Sequence, residues 1–259
     1  MEPEEPRAGT TEGRPSRIAE ADPAAGPEPE ASRARHGNAL RAGVLGSTDG
    51  LVSNLSLVMG VAGSGAPHEA IVVAGLAGLV AGSLSMALGE YLSVQSAREL
   101  FANELGIEAG QLAASPDAEV AELRGIYERK GVPPRMAAEL ADHMVRSDPE
   151  LALDTMAREE LGFDPNELGG SAWVAAGTSL ALFALGAVVP LLPFLITGGQ
   201  LALIAAAGLS AVALFGLGAG ITRLTGTRPI RSGLRQLAFG ASAAAITYGI
   251  GAIVGTALR

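Results

Sequence analysis

A chain of 259 residues without cysteine excludes a disulfide scaffold, a thiolate metal site and a cysteine nucleophile. Apolar residues and glycine together make up about 60% of it, against roughly 45–50% in an average soluble domain, while the formal net charge is −9. Both hold only if the charges are concentrated in a few segments, which excludes a uniform soluble globule.

Residues 1–37 are rich in Glu, Pro, Ala, Gly and Arg without apolar periodicity and read as a disordered tail. No charged n-region with a short apolar core and cleavage site opens the chain, so no secretory signal peptide is expected. Four windows then carry almost no charge. Residues 42–68 and 70–97 hold one acid each, Asp49 and Glu90, while residues 168–222 and 236–258 hold no charged residue. A membrane helix needs about 20 mainly apolar residues to cross about 30 Å of hydrocarbon. The windows therefore predict five spans: about 42–63, a second from about Glu69 that continues past the bilayer, about 171–192 ended by Pro190 and Pro193, 198–222 and 234–258. Gly78-x-x-x-Gly82 and Gly216-x-x-x-Gly220 have the spacing of close membrane-helix packing, a spacing that 35 glycines also generate by chance.

Residues 98–167 differ in kind, with 16 acids, 7 bases and amphipathic spacing. Ser115-Pro116 reads as an N-cap and first helical residue with Gly131 as the stop, Asp148-Pro149 and Gly162 bracket another helix, and Pro134 to about Arg146 makes a third. The fold class is thus all-α, a polytopic membrane protein with five transmembrane helices and a cytoplasmic three-helix insert between helices 2 and 3. Its layout is a tail at 1–37, helices 1 and 2 within 38–97, the acidic insert at 98–167 and helices 3 to 5 within 168–259.

Bases set the orientation. Arg33, Arg35 and Arg41 precede the first span, all seven bases of the insert follow the second, and Arg223, Arg228, Arg231 and Arg235 lie between the fourth and fifth. The other two connections hold no Lys or Arg, so the positive-inside rule puts the N-terminus and insert in the cytoplasm and the C-terminus on the opposite side.

An acid inside a span costs about 2.5 kcal/mol or more at the bilayer centre on insertion scales and is a functional candidate by default. Asp49 has Ser53 and Ser56 at helical spacings of four and seven, and Asn54 adds a carbonyl. On the second span Gly82, Met86 and Glu90 stand at intervals of four and share one face. A soft thioether beside a hard carboxylate suits Fe²⁺ or Mn²⁺ rather than K⁺ or Mg²⁺. In the insert, Glu104 and Glu108, Glu119 and Glu122, and Met156 and Glu160 form pairs three or four residues apart. Packed helices could gather these groups around cations; alternatively they are solvated acidic faces, with Arg124, Arg129 and Arg158 available to pair with them.

The stretch Asp49-Gly50-Leu51-Val52-Ser53-Asn54, the run AGSLSMALGEYLSVQSAREL over residues 81–100 and the EELGF of Glu159 to Phe163 resemble the vacuolar iron transporter family, in order, from about His36 to the C-terminus. The resemblance implies proton-coupled export of Fe²⁺ or Mn²⁺ from the cytosol by a homodimer whose pore is lined by the first spans around the two-fold axis. It matches Asp49 to the family's pore aspartate and Met86 to its pore methionine. In the insert it matches Glu108, Glu119, Glu122, Met156 and either Glu159 or Glu160 to metal-capturing positions. Three departures stand out: Gly78 lies where plant-type members have a pore glutamate, for which Glu90 is the substitute on offer; Gln111 replaces an insert glutamate; and Ala157 replaces the second of two adjacent methionines.

The expected partners are divalent transition-metal ions as substrate, protons, the lipid bilayer and a second copy of the chain, with no nucleic acid and no prosthetic group. The alternative is a membrane-anchored metal-binding sensor or storage protein, for which an acid within a span has no use. An enzyme is not expected: a carboxylate di-iron site needs Glu-x-x-His, and Arg33, Gly65 and Leu140 stand three residues before His36, His68 and His143. Serine-hydrolase chemistry lacks a histidine partner within the spans, and no phosphate-binding glycine motif supports ATP-driven pumping.

Overall fold

The computed structural model describes residues 30–165 and 171–257, with side chains from Gly43 onward except that of Leu224. Among them all regular structure is helical: α1 (Glu30–Gly63), α2 (His68–Ala114), α3 (Pro116–Arg129), α4 (Pro134–Ser147), α5 (Pro149–Glu159), α6 (Ala172–Ile196), α7 (Gly199–Gly220), α8 (Thr222–Thr225) and α9 (Pro229–Ala257). Five are long and apolar enough to cross a membrane: α1 through its segment Gly43–Gly63, and α2, α6, α7 and α9.

Three boundaries differ from the sequence expectation. The helix carrying the first span starts at Glu30, inside the stretch read as tail, because extending a formed helix avoids the cost of nucleation and residues 30–35 hold good helix formers; the tail's residues 1–29 lie outside those described. Pro190 and Pro193 do not end the third span but lie buried within α6, which continues to Ile196. Membrane helices tolerate proline because packed neighbours and local adjustment satisfy the freed backbone groups. Third, α2 runs unbroken through the expected boundary at 97/98: its 47 residues measure about 70 Å. Hydrocarbon accounts for about 30 Å of that, so the polar second half of α2 projects beyond the span.

Lipid tails are as apolar as leucine, so helices in a bilayer associate by close contact rather than by exclusion of water. α1 is the hub, packed on α6, α9, α2 and α7. At its crossing with α6 the backbones touch: a Cβ on Gly50 would run into Phe183 O, and one on Gly186 into Ser47 O. A similar approach joins α1 to α9, where a Cβ on Gly251 would strike Gly60 O. Leu55, Val58 and Met59 of α1, Ile71 of α2, Phe194 of α6, and Ala202 and Ala206 of α7 form the core of the bundle. Of the two Gly-x-x-x-Gly pairs, Gly78 and Gly82 meet neighbouring side chains, whereas Gly216 and Gly220 face open space.

The three short helices share a separate core of Leu123 and Tyr127 from α3, Ala137, Ala141 and Val145 from α4, and Met156 from α5, with Leu112 of α2 against it. The unit is therefore four-helical, the projecting end of α2 being its fourth member. Asp148 caps α5, its carboxylate accepting from Glu150 N at 2.8 Å, and Gly131 and Gly162 take the left-handed conformation beyond α3 and α5 (φ +91° and +74°). Ser115 stands at the N-cap of α3 without a capping side-chain bond. Ring contacts of Tyr91 with Trp173 and of Phe101 with Phe163 tie α2 to α6 and to the segment after α5.

Candidate functional site

Two clusters of polar side chains stand out, one in the membrane bundle and one in the acidic unit. The first lines a cleft of about 340 Å³ between α1, α2 and α6. From α1 come Asp49, Ser53, Asn54 and Leu57, spread over about two helical turns; from α2 come Gly78, Gly82, Ser85 and Met86; α6 contributes Phe183. Ser53 Oγ donates to Asp49 Oδ1 at 2.9 Å, which fixes the carboxylate along the helix. Asn54 is only 2% exposed; its Nδ2 donates to Ala187 O at 2.6 Å, while its Oδ1 is buried and has no partner. A buried acceptor left unpaired costs about 1–3 kcal/mol, and its cost is relieved by any cation that enters. Met86 lies over Gly46, where a Cβ would come within 3.7 Å of Sδ.

The cleft therefore presents a carboxylate, an amide carbonyl, hydroxyls and a thioether, a donor set that suits borderline divalent metals. Glu90 is not among its lining residues, and neither is Ser56, whose hydroxyl is buried without a partner. A Cβ on Gly78 would lie 2.7 Å from Asn54 Oδ1, so the side chain that this position lacks would compete with the amide for space. Asp49 and Ser53 are both exposed in the single chain, leaving one side of the cleft open.

In the second cluster, one carboxylate oxygen from each of Glu108 on α2, Glu119 on α3 and Glu160 after α5 lies within 4.8 Å of the others. Glu108 and Glu119 are buried, and Glu108 Oε1 has no hydrogen-bond partner. Like charges this close cannot all ionise cheaply. Burial, then Glu160, Glu119 and Glu122, push the Glu108 carboxyl up to about 7. Glu119 is raised by burial and by Glu122, and Glu160 by burial and by Glu122 and Glu119.

Two of the three bases available to neutralise this cluster are engaged elsewhere, Arg124 with Glu128 and Arg158 with Asp154 and Asp164. Lys130 pairs with Glu159, so of the two adjacent glutamates Glu160 joins the carboxylate group and Glu159 an ion pair. Exposed Glu122 acts on the cluster electrostatically, Glu104 lies one turn back along α2 outside it, and Met156 is fully buried in the core one turn before Glu160. Sequence reasoning did not single out Leu57, Ser85 or Phe183. Phe183 sits in an uninterrupted apolar run and gives no local signal.

The family model described as VIT family matches residues 40–252. Among curated proteins, the chain is 34% identical over 221 residues to "Vacuolar iron transporter 1" of Oryza sativa subsp. japonica, covering 85% of this chain and 87% of that protein. It is 32% identical over 222 residues to "Vacuolar iron transporter 1" of Arabidopsis thaliana, covering 84% and 87%. To "Vacuolar iron transporter" of Acanthamoeba castellanii it is 37% identical over 224 residues, covering 82% and 77%.

Proposed function

The chain belongs to the VIT family, and from that premise we propose that it carries Fe²⁺ or Mn²⁺ across a membrane, out of the cytosol and in exchange for protons. The observation that carries this reading is the cleft at Asp49, Asn54 and Met86, three kinds of metal donor converging inside a bundle of apolar helices. In the proposed topology the N-terminus and the acidic unit, residues 98–167, face the cytosol, and the C-terminus lies on the other side.

The acidic unit gathers the ion at Glu108, Glu119 and Glu160, with Glu122 adding charge and Glu104 and Met156 flanking. α2 connects the two clusters directly: Met86 and Glu108 lie 22 residues apart on one helix, about 33 Å. In the cleft, Asp49 offers the charge, Asn54 Oδ1 and Ser53 the neutral oxygens and Met86 the soft donor; Glu90 lies one turn further toward the acidic unit and serves the approach. A carboxylate among apolar helices is stabilised either by a proton or by a cation, so the two compete for Asp49. That competition is the physical basis of exchange. The open side of the cleft supports assembly as a homodimer, since an acid facing hydrocarbon is expensive and a second copy's α1 would cover it.

Metal flux into proteoliposomes under an imposed pH gradient tests the reading, comparing the native chain with Asp49→Asn and Met86→Ala. Loss of flux in Asp49→Asn with protein insertion unchanged supports it. Equal flux in all three removes the cleft from the pathway. Metal retained on the acidic unit without flux in any of them points to a membrane-anchored sensor.

A further inference from the structure

The link between α7 and α9 carries a second kind of charge. Thr227, Arg228, Arg231, Ser232 and Arg235 line a concavity of about 410 Å³ at the start of α9. Arg231 and Arg235 are four apart and share one face of α9, and Arg228 stands directly before its first residue, Pro229. Gly226 in the left-handed conformation (φ +65°) folds the chain sharply between α8 and α9, which brings Thr227 onto the same concavity.

Among the described residues these cations lack acid partners. No Asp or Glu occurs after Glu167 in the sequence, α7 carries no charged residue, and among the described residues none of Arg223, Arg228, Arg231 and Arg235 forms an ion pair. Four arginines of the acidic unit, Arg124, Arg135, Arg146 and Arg158, do have acid partners. Orienting a membrane protein needs bases in this connection but not their convergence on one concavity.

Depth identifies the ligand. Residues 236–258 hold no charge, and from Gln236 to the end of α9 at Ala257 the helix measures about 33 Å, which fills the hydrocarbon. Arg235 and the two arginines before it therefore stand in the layer of lipid headgroups. Guanidinium groups bind phosphate through paired N–H donors; the Thr227 hydroxyl beside them is hydrogen-bonded with Thr225 Oγ1 at 3.0 Å. Below them on the same helix, Phe239 is 71% exposed, where acyl chains would lie.

We propose that this concavity binds the phosphate of an anionic phospholipid headgroup, one lipid for each chain. Basic pockets between membrane helices take anionic headgroups in this way. The site is separate from the proposed metal pathway, and its test does not depend on transport.

Native mass spectrometry of the purified full-length protein, titrated in detergent with phosphatidylglycerol, phosphatidylcholine or inorganic phosphate, reads it. Phosphatidylglycerol should saturate at one per chain, and Arg228→Gln/Arg231→Gln/Arg235→Gln should weaken that binding about 100-fold. A control of equal charge, Arg124→Gln/Arg129→Gln/Arg135→Gln, should stay within about twofold. Arg231→Lys keeps the charge and loses the paired donors; it should weaken binding several-fold and serves as the second variant should the triple one not fold. The proposal is overturned if the control loses as much as the triple variant, if both Arg231→Lys and the triple variant bind like the native chain, or if phosphatidylcholine binds equally. Saturation by inorganic phosphate that phosphatidylglycerol cannot displace would show a site for free phosphate and sink the lipid assignment.

Discussion

The cleft among the spans and the carboxylate cluster beyond them hold cation donors in opposite ways. The cluster sets three carboxylates within 4.8 Å of one another with no base beside them, so it carries strong self-repulsion that a divalent ion relieves. The cleft has a single carboxylate, and its other donors, Asn54 Oδ1, Ser53 and Met86, are neutral. Dense charge suits capture from a dilute solution. A site with one charge and neutral ligands releases its ion more readily, because protonating one group removes most of the attraction. A site in a span has to be sparing with charge, since each acid there is costly, whereas a site beyond the span can accumulate it.

Breaking the contrast at the cleft gives the largest effect. Asp49→Asn removes its only charge, and the loss of a charge-assisted ligand worth about 1.5–3 kcal/mol lowers flux about 10- to 100-fold in proteoliposomes. At the cluster the charge is shared, so Glu108→Gln weakens Mn²⁺ or Fe²⁺ binding by about tenfold in a titration of the purified protein and reduces transport most at low metal concentration.

The cluster's titration sharpens the comparison further. Glu108, raised from an ordinary 4.5 to about 7, holds its proton in the folded protein over a range where the unfolded chain has lost it. The folded state binds the extra proton between those values, so the metal-free acidic unit loses stability as pH rises from about 4.5 to about 7 and levels off above. Thermal melts of the metal-free protein against pH should show that slope, and Glu108→Gln should flatten it. Metal affinity runs the other way, falling as pH drops below about 7, because cation and proton compete for the same oxygens.

Smaller effects separate neighbouring residues. Met86→Leu preserves volume and removes the soft donor, so discrimination between Fe²⁺ and Mg²⁺ in competition flux should fall by about threefold to tenfold. Smallest is Glu159→Gln. Glu159 belongs to an exposed pair with Lys130 worth about 0–1 kcal/mol, so metal binding should stay within about twofold, whereas Glu160→Gln should match Glu108→Gln. An equal loss from both would dissolve the distinction between them.

Much of this was legible in the chain itself. Charge-free windows locate five apolar helices because hydrocarbon excludes charge, and the spacing of Asp49, Ser53 and Asn54 places them within about a turn and a half because a helix fixes its own geometry. Spacing also pairs Met86 with Gly82 on one face of α2, and both reach the cleft. It pairs Glu90 with them equally well, yet Glu90 is not among the residues that line the cleft. The prolines of α6 misled for a physical reason: their usual meaning as helix stops assumes water to receive the freed carbonyls.

What the sequence determined alone were local quantities: the number of apolar helices, the acidity of residues 98–167 and the donor types available at each position. Tertiary structure decided which donors meet. Glu108, Glu119 and Glu160 come from three separate elements, and neither of the last two announces its partner. Phe183 O touching Gly50 and Asn54 Nδ2 bonded to Ala187 O depend on a crossing of α1 and α6 more than a hundred residues apart in sequence. Helix periodicity says which side chains share a face; only close packing of backbones, where small residues permit it, says which faces oppose one another.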